Sequence, residues 1–411
     1  MKSSELVLPA GNLQKLKYAF LYGADACYLG LPNFSMRSRS TQFTFSQLKE
    51  AIRLAHKLNK KLYITINTYP HNYDLKNLEK YLKKLKGLKI DAIILADPGV
   101  LNLVKKYLPK IKIHLSTQAN TVNLEAAKFW QKQGIRRIIL ARELSLKEIA
   151  EIKKTCPKME LEVFVHGAMC ISYSGRCLLS MYLTGRDANQ GECAQPCRWK
   201  YKAYYLEEDL RKNEFWPIEE DKGGAYIMNS RDLCLIDYLP DLIKAGVDAF
   251  KVEGRAKSIY YLAVVAKTYR QAIHIVQSSN LKVQNYKKLV SNLRRELETT
   301  HNRGFTPGFF TGKLQNSQEY KTSRPKSKWQ FCGVVKKLDK KTKTAFIKVH
   351  NKIEKNKVLE FVTPNSQFKF KIKEIINQKN EHQEFAKLND IIKLELPKEV
   401  PVSTVIRQKV K

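Results

Sequence analysis

No segment of the chain strings together the ~18 uninterrupted apolar residues that a membrane-crossing helix needs. The opening, Met1-Lys2-Ser3-Ser4-Glu5-Leu6-Val7-Leu8, lacks the basic stretch and long apolar run of a secretion signal. A cytoplasmic protein without a membrane partner is therefore expected. There is no Gly-x-Ser-x-Gly elbow and no His-Glu-x-x-His helix, so two common hydrolase layouts are excluded. Acidic residues are scarce: 39 Asp plus Glu stand against 74 Lys plus Arg, a formal charge of +35. Such an imbalance favours polyanionic partners, RNA or DNA ahead of an acidic membrane surface. The plainer reading is a lysine-rich, solvated surface. Cysteine is sparse too, with 8 in 411 residues. In a long cytosolic chain these point to metal, redox chemistry or core thiols rather than to a disulfide framework.

What the chain does have is 43% apolar residues, enough for a large core. Its first two-thirds repeat one phrase, in which a helical stretch, a small-residue turn and a short β-branched run follow one another. Gly23 to Gly30, Ile90 to Asp97, Gly134 to Arg142 and Gly246 to Gly254 are four copies. Leu6 to Leu8, Leu62 to Asn67, Ile113 to Leu115 and Leu161 to Val165 lie between them. Apolar runs alternating with amphipathic helices such as Phe45 to Leu58 predict a parallel sheet. About eight runs within roughly 255 residues predict a (β/α)8 TIM-type barrel. A doubly wound sheet is the alternative, but it wants a glycine-rich turn after the first strand, and Pro9-Ala10-Gly11-Asn12 is not one.

The regularity breaks at about 168–225, which reads as a Cys-rich insertion ending in a polar, hairpin-like stretch, Lys200 to Gly224. Helices are predicted near Ser258 to Gln277 and Asn285 to Thr300. The barrel domain then covers 1–320. Residues 321–411 read as a small all-β, barrel-like C-terminal domain, with strands near Phe331 to Val335, Thr344 to Val349, Phe368 to Ile372 and Asp390 to Leu394. From Lys321 onward 23 basic residues face 9 acidic ones. That makes the domain a nucleic-acid grip, or an appendage whose lysines blunt its sheet edges.

Cys170, Cys177, Cys193 and Cys197 are spaced C-x6-C-x15-C-x3-C. This is not the pair of C-x2-C knuckles of a zinc ribbon. Soft thiolates select zinc or iron–sulfur, and long irregular intervals suit a cluster wrapped by a loop. An iron–sulfur centre, structural zinc and reduced core thiols are the three readings. Gly175, Gly185 and Gly191 allow close backbone approach, and Arg176, Arg186 and Arg198 offset negative charge. Cys27, Cys156 and Cys332 read as buried apolar residues. Cys234 is an outsider that could replace Cys197 as fourth ligand.

Chemistry in such a barrel sits at the C-terminal strand ends. Those ends carry Asn67, Gln118, Arg142, His166, Asn229, Lys251, Glu253 and Arg255, and an early loop adds Arg37 and Arg39. Planar guanidinium forks bind carboxylates and phosphates bidentately, so a small di-acid or a nucleotide phosphate is the implied ligand. His166, four residues before Cys170, is either a proton donor beside the thiols or a packed strand-end histidine. Lys251 and Glu253 share one strand face and read as an ion pair or a proton-transfer pair.

Glu162-Val163-Phe164-Val165-His166-Gly167-Ala168-Met169-Cys170, continuing to Tyr173-Ser174-Gly175-Arg176-Cys177-Leu178-Leu179-Ser180, resembles the defining motif of the collagenase-like peptidase family of unclassified mechanism. Asn229 to Cys234, Phe250 to Arg255 and the opening Leu8 to Asn12 with Gly23 to Ala26 resemble its other blocks, and the tail resembles its small C-terminal domain. Despite the family's name, members include oxygen-independent iron–sulfur hydroxylases, and the spacing here is most similar to the branch that hydroxylates tRNA. The resemblance implies a 4Fe-4S cluster (zinc the alternative) on Cys170, Cys177, Cys193 and Cys197. It also implies 5-hydroxylation of a wobble uridine in tRNA, with prephenate, a small dicarboxylate metabolite, as oxygen source. An electron-donor protein is a further partner it leaves open. The alternatives are a 23S ribosomal RNA cytidine hydroxylase and a collagenase-like peptidase.

Overall fold

The computed structural model describes residues 4–30, 34–36, 43–199, 220–221, 224–225, 229–278, 283–312 and 327–410. Eight parallel strands form its first part: β1 (Glu5–Pro9), β2 (Ala26–Gly30), β3 (Lys61–Ile66), β4 (Ala92–Leu95), β5 (Ile113–Leu115), β6 (Arg137–Ile139), β7 (Glu160–Ala168) and β8 (Ala249–Val252). Each pairs with the next, and β8 pairs with both β7 and β1, which closes the barrel. Helices α1 (Leu13–Leu21), α2 (Phe45–Lys57), α3 (Asn72–Leu85), α4 (Pro98–Tyr107), α5 (Leu124–Lys132) and α6 (Leu146–Thr155) alternate with the first seven strands. The loops above the strands end in side-chain caps: Asn12, Thr44, Asp97, Asn123 and Ser145 each accept a first-turn backbone N–H. Each such cap contributes about 1 kcal/mol.

The strand residues divide cleanly between two layers. Leu6, Leu8, Cys27, Leu29, Val163 and Val165 pack outward against the helices. Val7, Tyr28, Tyr63, Ile94, Ile139 and Ala249 fill the lumen. Period-two alternation explains this split, with one exception. Between β7 and β8 the register shifts, so that Phe164 faces Lys251 but His166 faces Val252. The extra residue, Val165, makes a β-bulge, and at a bulge two successive residues oppose one.

The described part of the insertion includes a short antiparallel pair, Glu220–Asp221 with Gly224–Ala225, where a hairpin is predicted. The rest of Lys200 to Gly224 lies outside the described residues, as does the predicted boundary at 320. After the insertion, the strand Asp232–Cys234 runs antiparallel to the end of β7. Two long helices, Ile259–Ser278 and Val283–Leu297, follow β8 near the predicted positions.

The C-terminal part is all-β. Its six-stranded antiparallel sheet runs in the order Gln367–Lys371, Val358–Val362, Val405–Lys409, Trp329–Asp339, Thr344–Val349, Ile391–Glu395. Two of these, Val358–Val362 and Val405–Lys409, are absent from the strands read in the sequence. They form the seam with the barrel. The Tyr22 hydroxyl donates to the Val362 carbonyl at 2.8 Å and accepts from the Val405 N–H at 3.2 Å. Fully buried Arg407 reaches Glu296 from Nη1 and Nη2 at 2.6 and 2.8 Å and Glu360 from Nε at 2.9 Å. Val334, Val362 and Val405 join the barrel's own apolar cluster, so the two parts share a core.

Candidate active site at the barrel mouth

A cavity of about 130 Å³ opens at the C-terminal ends of the barrel strands. Its walls include apolar Ile94, Ile139 and Phe164, and its polar lining includes Asn67, Gln118, Arg142, Lys251, Glu253 and Arg255. Six of the residues predicted at strand ends thus meet in one pocket. Asn67 donates from Nδ2 to Gln118 Oε1 at 2.6 Å and accepts the Met36 N–H at 3.2 Å. Among the described residues the buried Gln118 Nε2 has no hydrogen-bond partner. Arg142 donates from Nη1 to the Ala168 carbonyl at 3.1 Å and lies over the Phe164 ring at 5.4 Å. Arg255, buried, donates from Nη1 to Ser35 Oγ at 2.6 Å, and Ser35 is 2.6 Å from Thr65 Oγ1. Gly30 makes that approach possible, because a Cβ there would lie 2.0 Å from Ser35 Oγ and 2.8 Å from Arg255 Nη1. Among the described residues three cations and one carboxylate line the pocket, which suits an anionic ligand.

Lys251 is the floor. Its Nζ lies over the Tyr28 ring at 4.1 Å and bonds Glu162 Oε1 at 2.6 Å, with both side chains buried. Its partner is therefore Glu162 and not the predicted Glu253: β7 and β8 are paired neighbours whose lumen-facing side chains lie side by side, while Glu253 has already left the strand. Burial lowers the Lys251 pKa, and the Glu162 charge opposes that shift. Beneath it, Arg137 donates to Glu162 at 3.0 Å, to Glu5 at 2.8 Å and to Glu160 at 2.9 Å. Glu5 also accepts from Tyr63 at 2.6 Å and pairs with Lys61 at 2.5 Å. Burial alone raises the Glu5 carboxyl, but Arg137, Lys61 and Tyr63 more than offset it and bring it down to about 2.

His166 is not on the cavity wall. The bulge turns it outward, where its ring lies between Tyr261, Tyr269 and Phe305 at 5.4 to 5.9 Å between ring centres. Burial, helped by Lys257, takes its pKa down to about 3, so it is uncharged at neutral pH. This corrects the proton-donor role and supports the packed strand-end histidine. Asn229 is fully buried and lies outside the cavity lining. Cys234 faces His166 across the short antiparallel pair and sits 3.8 Å from the Tyr269 hydroxyl, with burial pushing its thiol up to about 11. It belongs to the core, as do Cys27, Cys156 and Cys332. Arg37 and Arg39 lie outside the described residues.

The cysteine-bearing segment 169–199 caps the pocket. Ser174 N–H and Oγ donate to Glu143 at 2.6 and 2.5 Å, and Ser174 Oγ accepts the Arg142 N–H at 3.1 Å. Arg176 donates to the Gln118 carbonyl at 2.9 Å and lies over Tyr69 at 5.0 Å. Ser174 holds a positive φ of +42°, a strained conformation that these anchors maintain, and Gln195 holds +60°. The sequence reading missed Glu162, Ser174 and Glu143 as parts of the site. Ser174 and Glu162 do lie inside the long motif quoted above, which was the available signal.

The four thiols share this cap. Burial and the like charges of Cys170, Cys193 and Cys177 raise the Cys197 thiol, while Arg198 pulls it down. All four lie on the one segment, within 28 residues of chain. The donor set, four soft thiols with three glycines at positive φ among them, fits a thiolate-held centre. Their side chains are not turned to one point: among the described residues no three His, Cys, Asp or Glu side chains are grouped so as to hold a metal ion. Holding one requires the thiols to come together.

A (β/α)8 barrel with a cationic mouth under a four-cysteine cap, joined to a small antiparallel sheet, is the class of protein that this fold and site define. The model of peptidase family U32 matches residues 11–320, and that of the family's C-terminal domain matches residues 327–407. The chain belongs to peptidase family U32. It is 39% identical over 419 residues to tRNA hydroxylation protein P of Escherichia coli, covering 93% of this chain and 91% of that one. It is 36% identical to tRNA hydroxylation protein P1 of Bacillus subtilis, covering 99% and 95%. A 23S rRNA 5-hydroxycytidine C2501 synthase of Escherichia coli is 34% identical over 66% of this chain and 39% of its own length. No helix among the described residues is long and apolar enough to cross a membrane.

Proposed function

We propose that this protein is an RNA-modifying hydroxylase that converts a wobble uridine of tRNA to 5-hydroxyuridine, with prephenate as the co-substrate. The observation that carries the reading is a cationic barrel mouth capped by the segment that bears all four thiols. Relatives named for tRNA hydroxylation, aligned along nearly the whole chain, support it.

In this reading Cys170, Cys177, Cys193 and Cys197 hold a 4Fe-4S cluster, which supplies one-electron redox chemistry when bound. Arg142, Arg255 and Lys251 take the two carboxylates of the co-substrate. Asn67 and Gln118 present amide groups to the edge of a base, and the unpartnered Gln118 Nε2 waits for an acceptor. Glu253, the single acid among the described lining residues, is placed to hold or move a proton. The Ile94, Ile139 and Phe164 walls keep water from the reacting atoms. The +35 charge brings the tRNA, whose loop bases are already unpaired and cheap to extrude. A peptidase reading has less support, since among the described residues no cysteine thiol hydrogen-bonds a histidine and the one strand-end histidine is packed away.

Mass spectrometry of tRNA nucleosides from a deletion strain tests the reading. Loss of 5-oxidised wobble uridines, restored by the intact gene, is the expected result. Unchanged levels in a strain without a second hydroxylase would refute it, and loss of a hydroxycytidine in ribosomal RNA instead would move the substrate.

A further inference from the structure

The cap carries a surface that none of the roles above uses. Among the described residues sixteen large apolar side chains are exposed, and seven of them fall within residues 171–199. Tyr173 is 51% exposed, Leu178 60% and Tyr182 84%, and Met181, Leu183 and Trp199 are exposed with them. Leu178, Met181 and Tyr182 stand at i, i+3 and i+4, so they form one face of the short helix Leu179–Thr184 and its N-terminal cap residue. That helix packs against the Pro196–Arg198 turn, and Ser180 Oγ accepts the Ala194 N–H at 2.9 Å. The patch is therefore a folded surface and not a loose string. At its Tyr173 end it adjoins the cavity: Ser174 and Gly175 line the pocket, and the Tyr173 carbonyl accepts from Asn120 at 3.2 Å.

We propose that this collar stacks the unpaired nucleotides that flank the target base. The inference rests on the RNA reading above. Once one base enters the cavity, the backbone keeps its neighbours at the lip, and the lip is this collar. Base-on-aromatic stacking is tolerant of sequence and worth roughly tenfold or more in affinity per base. Arg176 and Arg198, which stand close to collar residues in the chain, add local positive charge to the overall +35 and favour the flanking phosphates. A protein partner would need an acidic rim to match, and a second copy of this chain would bring a like charge.

The test is titration of the full-length protein with an RNA hairpin carrying 2-aminopurine beside a loop uridine. Tyr182→Ala should weaken binding about tenfold and abolish the change in 2-aminopurine fluorescence, while Tyr182→Phe retains both. Affinity for a blunt duplex of equal length should not change. Tyr182 is largely exposed, so folding is not at stake, and Tyr173→Ala gives an independent second probe. Unchanged hairpin affinity and fluorescence in both alanine variants, with wild type still modifying RNA, overturns the collar alone. A fall in mass by light scattering in Tyr182→Ala, without loss of hairpin binding, overturns it in favour of self-association. Failure of wild type to bind the hairpin at all overturns the RNA reading beneath it.

Discussion

The floor and the lip of the barrel are built on opposite terms. Below the cavity, Glu5, Glu160, Glu162, Arg137 and Lys251 are closed into one buried network in which each charge meets an opposite one. Above it, the cap leaves apolar side chains in water and holds Ser174 and Gln195 in strained backbone. The floor is committed to holding the barrel shut and Lys251 in place. The lip keeps unsatisfied surface, which is what a site awaiting a large ligand requires. This matches the division of labour in such barrels, stability at one end and chemistry at the other.

Breaking the floor should have the largest effect. Arg137→Met strips the common partner from Glu5, Glu160 and Glu162 and leaves the buried carboxylates of Glu5 and Glu162 with a single lysine each. A loss of about 3–5 kcal/mol is expected in urea unfolding, whereas lip variants such as Tyr182→Ala should unfold like wild type. Equal losses at floor and lip would erase the contrast.

Acid should find the same floor next. Glu5 is held at about 2 against an ordinary value of 4.5. A depressed carboxylate stabilises the fold above the unfolded pKa, and that contribution is lost as pH falls through the folded one. Roughly 3 kcal/mol should therefore disappear between pH 4.5 and 2. His166 acts over a higher window. Its folded pKa of about 3 lies below the ordinary 6.5, so in that interval the unfolded chain binds a proton that the native one does not. Stability should accordingly decline from pH 6.5 downward. His166→Phe should flatten that upper part of the acid limb while leaving RNA modification intact. A modification rate that collapses in this variant, with the fold preserved by circular dichroism, would return His166 to the reacting groups.

The barrel was legible because both its layers are written locally, in apolar runs with capped helices between them. The cavity ring was legible for the same reason, since strand ends follow from strands. Lys251 was misassigned to Glu253 because its true partner, Glu162, lies 89 residues away and is brought in only by closure of the sheet. The proton-donor reading of His166 fails, and its packed alternative holds, because period-two alternation has no means of anticipating a bulge at Val165. The strands Val358–Val362 and Val405–Lys409 were missed because Glu360 and Arg407 interrupt their apolar pattern, and only folding pairs the two across the sheet and makes their burial tolerable. That the four thiols fall on one segment of the cap is plain from their nearness in sequence.

The central claim is that Cys170, Cys177, Cys193 and Cys197 together grip a redox-active inorganic centre over the barrel mouth. Iron and acid-labile sulfide content, with a visible spectrum, of full-length protein purified without oxygen tests it most directly, beside Cys193→Ser and the core variant Cys332→Ser. We expect iron and sulfide in equal amounts and a brown chromophore in wild type and Cys332→Ser, with both lost or sharply reduced in Cys193→Ser. A colourless, iron-free wild type, or a chromophore indifferent to Cys193, would contradict the account.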